Sequence, residues 1–477
     1  MEKRIFYNYS SILKKLAQYL PSRGLIILNS FLIIPLFTYI LSEKEVSIYL
    51  IALQILNLIC TCSFDWIGKA VLRFYEKYNL KNKLDEFLST IFWTSIVVYG
   101  IIGVIYLLFK NPLSTYFSIN SQIYFLTILL VIPCGIRQII YQVLRVNNNF
   151  MLYTASIILY QLIFAAGFLG LVNIIPNASS ILLAMVFAVL LIDIWISYSI
   201  HSKFRLTNKI NKSIVLEILK YSIPIVFTNI CYWFVFHSSK FIFQMVNQYL
   251  NTSVFGISLA LATNAVTPLA SLFIFVNFPV IIKNFERQKE IKTYFTSMIR
   301  LYLYILFPVV SAFCYFSKDI VRLTLPETYL QAAYILPFLA ITLFLHELMK
   351  LINIKYHLYN KTYIEMIFSV FIVLFAFLLN LKMITYHGLI GAACVMLFTE
   401  ICLFMMNILI KLKSTNYISF KDLIKTLFIL FLISGFSFLI SLRIGYNENI
   451  FAIILKLIIY LLLNYGLYFA FKKKLFI

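Results

Sequence analysis

About 14 stretches of roughly 20 mostly apolar residues follow one another along the chain, separated by short polar loops. Nothing constrains the fold more than this succession. In hydrocarbon a backbone can satisfy its polar groups only as a helix or in a closed barrel, and these runs are about twice the length of a barrel strand. Hydrophobic residues make up 62% and charged residues 12% of the 477 positions. A soluble domain carries about a quarter charged residues, so water is not the main solvent here. The expectation is an all-α integral membrane protein of about 14 transmembrane helices. Its seven cysteines all fall inside apolar runs, with no CxxC pair and no Cys/His ligand spacing. Neither a disulfide framework nor a metal site is expected, and no cofactor is called for.

The formal charge of +22 arises from 40 Lys and Arg against 18 Asp and Glu. Most of these bases fall on alternate loops: Lys69, Arg73, Lys77, Lys81 and Lys83 after the second span, then Lys203, Arg205, Lys209 and Lys212 before the seventh. Loops that resist translocation carry such an excess, which places both termini in the cytoplasm with an even number of spans. The charge thus reports orientation, and no nucleic-acid-binding motif accompanies it. The first 19 residues are polar and basic and the run after them is full length, so the first span is expected to be retained. Outer loops are short, the longest lying around Ser317 to Thr328. That speaks against a membrane-embedded polymerase or glycosyltransferase, and the chain is not expected to be an enzyme.

Tyr19-Leu20-Pro21 opens the first span and Tyr221-Ser222-Ile223-Pro224 the seventh, each followed by a short outer hairpin. The repeat divides the chain into a lobe over 1–200 (spans 1–6), a cytoplasmic linker over 201–217, a second lobe over 218–411 (spans 7–12) and two further spans over 412–477. Spans are expected at Val46 to Trp66, Ile218 to Lys240, Thr362 to Met383 and Gly388 to Ile410, among others.

Leu41-Ser42-Glu43-Lys44-Glu45 with Tyr49, Ala70-Val71-Leu72-Arg73-Phe74-Tyr75, and Leu219-Lys220-Tyr221-Ser222-Ile223-Pro224 running to Ser238-Ser239-Lys240 resemble the polysaccharide flippases. These are the O-antigen repeat-unit translocases of the multidrug/oligosaccharidyl-lipid/polysaccharide exporter superfamily. The resemblance implies two pseudo-symmetric six-helix lobes in a V shape plus two C-terminal helices. It also implies transport of an undecaprenyl-pyrophosphate-linked oligosaccharide, an O-antigen or similar lipopolysaccharide repeat unit, across a bacterial inner membrane by alternating access. Membrane lipids, a polysaccharide polymerase and glycosyltransferases are the partners it implies. Where family members commonly carry an Asp-Arg pair near the end of the seventh span, this chain has Ser239-Lys240, so the cation is kept and the acid is not.

A sugar-bearing pyrophosphate cannot cross hydrocarbon unaided, so such a protein needs a hydrated cavity lined with cations, amides, hydroxyls and aromatic rings. In the second span Gln54, Asn57, Thr61 and Asp65 share one helical face, and Lys69 stands four residues beyond Asp65. Asn229, Trp233 and Lys240, with His237 adjacent, form a corresponding stripe in the seventh span, and Asn264 begins one in the eighth. Interhelical hydrogen bonding is the alternative use of such stripes. Arg23 and Lys240 are candidates to receive and pass on the pyrophosphate, with snorkelling to the interface as the alternative, and Arg137 is a third candidate. Asp65, Asp193, Glu365 and Glu400 can neutralise these cations or carry a coupling proton. His346-Glu347-Leu348-Met349-Lys350 has Lys350 where a zinc-protease helix needs its second His, so no metal hydrolysis is expected. No phosphate-binding glycine loop of the Walker type is present, so gradients rather than ATP must drive transport. Two rival readings stay open: an ion-coupled multidrug exporter of the same superfamily and, from another class, a polysaccharide polymerase or glycosyltransferase.

Overall fold

The computed structural model describes residues 21, 23–28, 31–117, 119–147, 149–200, 210–286, 292–358, 361–409, 420–442 and 450–475. Among the described residues every regular element is a helix. The order is α1 (Arg23–Ile40), α2 (Glu43–Cys60), α3 (Trp66–Leu80), α4 (Leu84–Leu108), α5 (Lys110–Phe117), α6 (Ser121–Val146), α7 (Phe150–Val172) and α8 (Ala178–Ile200). Then come α9 (Lys212–Met245), α10 (Tyr249–Glu286), α11 (Lys292–Tyr315), α12 (Ser317–Thr324), α13 (Ala332–Leu358), α14 (Thr362–Leu409), α15 (Phe420–Leu442) and α16 (Ile450–Leu475). Thirteen helical segments are long and apolar enough to cross a membrane. One of them, α14, is broken at Gly388, where φ is 54° and ψ −129°. Only glycine adopts that backbone without strain. At about 1.5 Å per residue α14 is more than twice as long as the hydrocarbon is thick, so it supplies two crossings and the expected 14 segments are present. The basic segments at 1–20, 201–209 and 410–419 lie outside the described residues.

Local chemistry explains where the helices begin. Ser42 caps α2 by accepting the Glu45 N–H at 3.4 Å, the first half of a capping box. The Glu45 carboxylate turns away from its own helix and accepts the N–H of Ala178 at 2.7 Å, so it caps α8. Asn211 accepts the Ser213 N–H at 2.9 Å and thereby starts α9 well before the expected seventh span, while its amide donates to Glu86 on α4 at 2.6 Å. Pro224 consequently sits deep inside α9 rather than near a first turn, which corrects the sequence reading of that proline. Its ring removes one backbone bond from the helix interior.

Two compact units emerge from the packing. The first holds residues 36–256 and 362–377. In it α2, α3, α6, α7, α8 and α9 pack together, and Lys77 near the end of α3 pairs with Glu217 near the start of α9 while the Tyr78 hydroxyl donates to Glu217 at 2.7 Å. The second unit holds residues 1–35, 257–361 and 378–477. Its α15 and α16 pack on α11, through a 2.6 Å hydroxyl contact between Ser311 and Tyr460 and the stacked rings of Tyr315 and Phe438.

Candidate functional site

Between α2 and α3 the helix widens into one π turn, Thr61–Asp65. Such turns insert an extra residue and are frequent at functional sites. Ser63 turns its hydroxyl back onto the Ile59 carbonyl at 2.5 Å, and Phe64 beside it is 1% exposed. The ring has room because α6 passes with Gly135. A Cβ there would stand 2.2 Å from Phe64 Cδ2. Asp65 closes this turn and accepts a hydrogen bond from the Thr61 hydroxyl, and Lys69 lies one helical turn beyond it.

The polar stripes of the second and seventh spans meet in the first unit. Trp233 Nε1 donates to the Gln54 carbonyl at 3.2 Å, and Ser222 Oγ to the Trp66 carbonyl at 3.2 Å. This register makes α9 antiparallel to α2 and α3. Side chains lean toward the N-terminus of their own helix, so in antiparallel neighbours they lean toward one another. Lys69 Nζ thereby reaches Asn229 Oδ1 at 3.0 Å. Asn57 donates to Gln54 Oε1 at 3.5 Å and is exposed, whereas Thr61, Asp65, Lys69, Asn229 and His237 are half-buried. The face therefore combines interhelical bonding with accessible polar groups.

Toward the C-terminal end of α9 the Trp233 and His237 rings meet edge to face at 5.4 Å. His237 Nδ1 is buried and has no hydrogen-bond partner among the described residues. Lys240 is 2% exposed, and its stem lies against Gly256. Among the described residues no carboxylate pairs with it.

Arg137 is drawn elsewhere in the same unit. Its guanidinium lies 4.4 Å from the centre of the Tyr160 ring on α7, and Nη2 approaches Cys134 Sγ at 3.7 Å. The Asp193 carboxylate of α8 is the acid that acts on it, with both oxygens buried and outside hydrogen-bond reach of any described group. Glu365 is half-buried in the first unit. In the second unit Arg23 and Asn264 are half-buried, and Glu400 is fully buried with Oε1 3.1 Å from His346 Nδ1. Sequence reasoning missed the π turn, the Gly135–Phe64 contact, the Tyr160 platform and the His346–Glu400 pair. The last joins residues 54 positions apart, which periodicity cannot connect.

These features define an all-helical protein with many segments long and apolar enough to cross a membrane. A solved structure of "Lipid II flippase MurJ, inward closed conformation" superimposes with a TM-score of 0.67 at 16% identity, covering 96% of this chain and 99% of that one. A solved structure of the MATE multidrug transporter DinF-BH matches with a TM-score of 0.64 at 13% identity, over 85% of this chain and 96% of its own. No curated protein shows a significant sequence match. Residues 40–334 match the family described as "Polysaccharide biosynthesis protein", and the chain belongs to it.

Proposed function

We propose that the protein is a flippase that carries an undecaprenyl-pyrophosphate-linked oligosaccharide, an O-antigen or similar repeat unit, from the cytoplasmic to the outer leaflet of the bacterial inner membrane. Both termini are cytoplasmic in this reading. Two pseudo-symmetric lobes alternate access to a hydrated cavity while the lipid tail stays in the bilayer. Family membership and the likeness to a lipid II flippase support the reading. The observation that carries it is the composition of the α2–α3 and α9 face.

That face presents Gln54, Asn57, Thr61 and Asn229 for sugars, Trp233 for a sugar ring, and Lys69, His237 and Lys240 for phosphate. Lys240 is 2% exposed with no carboxylate paired to it among the described residues. A lysine this buried is costly unless it is paired or hydrated. A pyrophosphate admitted in another conformer supplies the missing partner. Arg23 receives the head group at the cytoplasmic end in this scheme. With the cell interior negative, moving an anion outward is downhill by about 2.3 kcal/mol per charge at 100 mV, so export proceeds without ATP hydrolysis by this chain.

Deletion of the gene tests the proposal in cells. Lipid-linked oligosaccharide should accumulate on the cytoplasmic leaflet while its synthesis continues, and the length distribution of residual surface glycan should stay normal. A change confined to glycan chain length would instead mark a polymerase. Hypersensitivity to cationic drugs with normal surface glycan would mark a drug exporter, which this cationic face disfavours.

A further inference from the structure

In the second unit His346 of α13 and Glu400 of α14 are bonded at 3.1 Å from Nδ1 to Oε1, with side-chain exposures of 8% and 0%. His346 lies near the middle of α13, and Glu400 near the middle of the α14 segment that follows Gly388. At about 1.5 Å per residue both are roughly 15–20 Å from their helix ends, the depth of the bilayer centre. Ionisable groups so placed mark ion and proton pathways by default.

Oε2 of Glu400 is buried and has no hydrogen-bond partner among the described residues. Several ionisable groups on α11 and α13 have partners of their own. On α13, Lys350 Nζ binds Glu347 Oε1 at 2.8 Å and Lys355 Nζ binds the Asn407 carbonyl at 2.7 Å. The Tyr302 hydroxyl of α11 donates to the Phe344 carbonyl at 2.8 Å. Tyr356 on α13 and Cys402 on α14 are uncharged at neutral pH, residues 257–274 of α10 carry no ionisable side chain, and Lys318, Asp319 and Arg322 belong to α12 beyond the outer end of α13.

The charge count then has two states. Neutral imidazole hydrogen-bonded to carboxylate leaves one net negative charge, with a bare oxygen, in a medium that stabilises neither. One added proton gives imidazolium with carboxylate, or imidazole with carboxylic acid, and the pair is neutral. The two residues act as a single site for one proton.

We propose that the His346–Glu400 pair is the proton-binding site that couples this transporter to the transmembrane proton gradient. It binds a proton from the outer side, releases it to the cytoplasm, and is separate from the substrate-binding face of the first unit. The coupling half of this inference rests on the flippase reading, and the proton-binding half does not.

The test has two arms on the full-length protein. In nanodiscs without substrate, 15N-histidine spectra are recorded between pH 5 and 8, with His346→Gln assigning the signal. The pH response of the His346 signal should differ between the native protein and Glu400→Gln, and Glu400→Asp should largely restore it. A His346 signal that is unmoved by pH, or that titrates identically in Glu400→Gln, overturns the site. In liposomes clamped at zero potential, undecaprenyl pyrophosphate bearing a fluorescent disaccharide is the probe. An outside-acid gradient of one pH unit should speed its movement several-fold in the native protein and not in Glu400→Gln. Equal acceleration in both overturns the coupling. A probe that never moves, beside a titrating His346, overturns the flippase reading and leaves the proton site standing.

Discussion

Replacing Gly135 by alanine should disturb the transporter through one contact. The new methyl carbon would lie 2.2, 2.3 and 2.5 Å from Phe64 Cδ2, Cε2 and Cγ. Carbon atoms rest at about 3.5–4.0 Å, so the ring must withdraw by more than ~1 Å. Phe64 is 1% exposed and has nowhere to go without moving the π turn. Overpacking of this kind costs about 1–3 kcal/mol. The Phe64→Ala background removes the obstacle. There the same substitution should cost nothing or stabilise by up to ~1 kcal/mol, because alanine is the better helix former. Denaturant midpoints of the purified protein in detergent, for the two single variants and the double, measure this sign change. Transport by Gly135→Ala should fall further than its stability, since the displaced turn carries Asp65 and Lys69 with it. Equal, additive stability effects in the two backgrounds would show that the contact does not shape the turn.

Three further expectations concern other residues. Lys69→Met should lower transport about tenfold or more while Lys69→Arg keeps most of it, with membrane abundance of both near normal on immunoblots; Asn229→Leu should weaken the same step by removing one acceptor that positions the ammonium. Glu45→Ala should cost about 0.5–1 kcal/mol by removing one of two acceptors at the start of α8, where Asn177 still accepts the Ser179 N–H, and Glu45→Gln less, read as a fall in unfolding midpoint with little change in substrate selectivity. Arg23→Ala and Lys240→Ala should each reduce surface polysaccharide on complementation, with Arg23→Lys milder; normal polysaccharide from the double alanine variant would remove both from the pathway.

Much of the architecture was legible because hydrocarbon leaves a chain few options. Apolar run length alone set the helix count, and Gly388 falls at the start of the expected twelfth span. The Lys69–Asn229 and Trp233–Gln54 carbonyl contacts fall on two helical stripes that were legible in the sequence, though which neighbour each stripe would meet was not. Helix ends were less visible. Asn211 caps α9 through the Ser213 N–H and is held by a bond to Glu86 of α4, a tertiary contact that periodicity in α9 does not carry. Arg137 shows the limit for single charges: its position at depth was evident, but the Tyr160 ring and Asp193 that engage it come from other helices. The π turn was hidden for a similar reason, because its condition is a glycine on a different helix.

Reconstituted translocation tests the central claim most directly. Purified protein in liposomes holding a fluorescent undecaprenyl-pyrophosphate disaccharide on the inner leaflet should deliver it to the outer leaflet, faster with the interior negative and slowly in Lys69→Met. Leaflet exchange no faster than in protein-free liposomes, at any potential, would contradict the account.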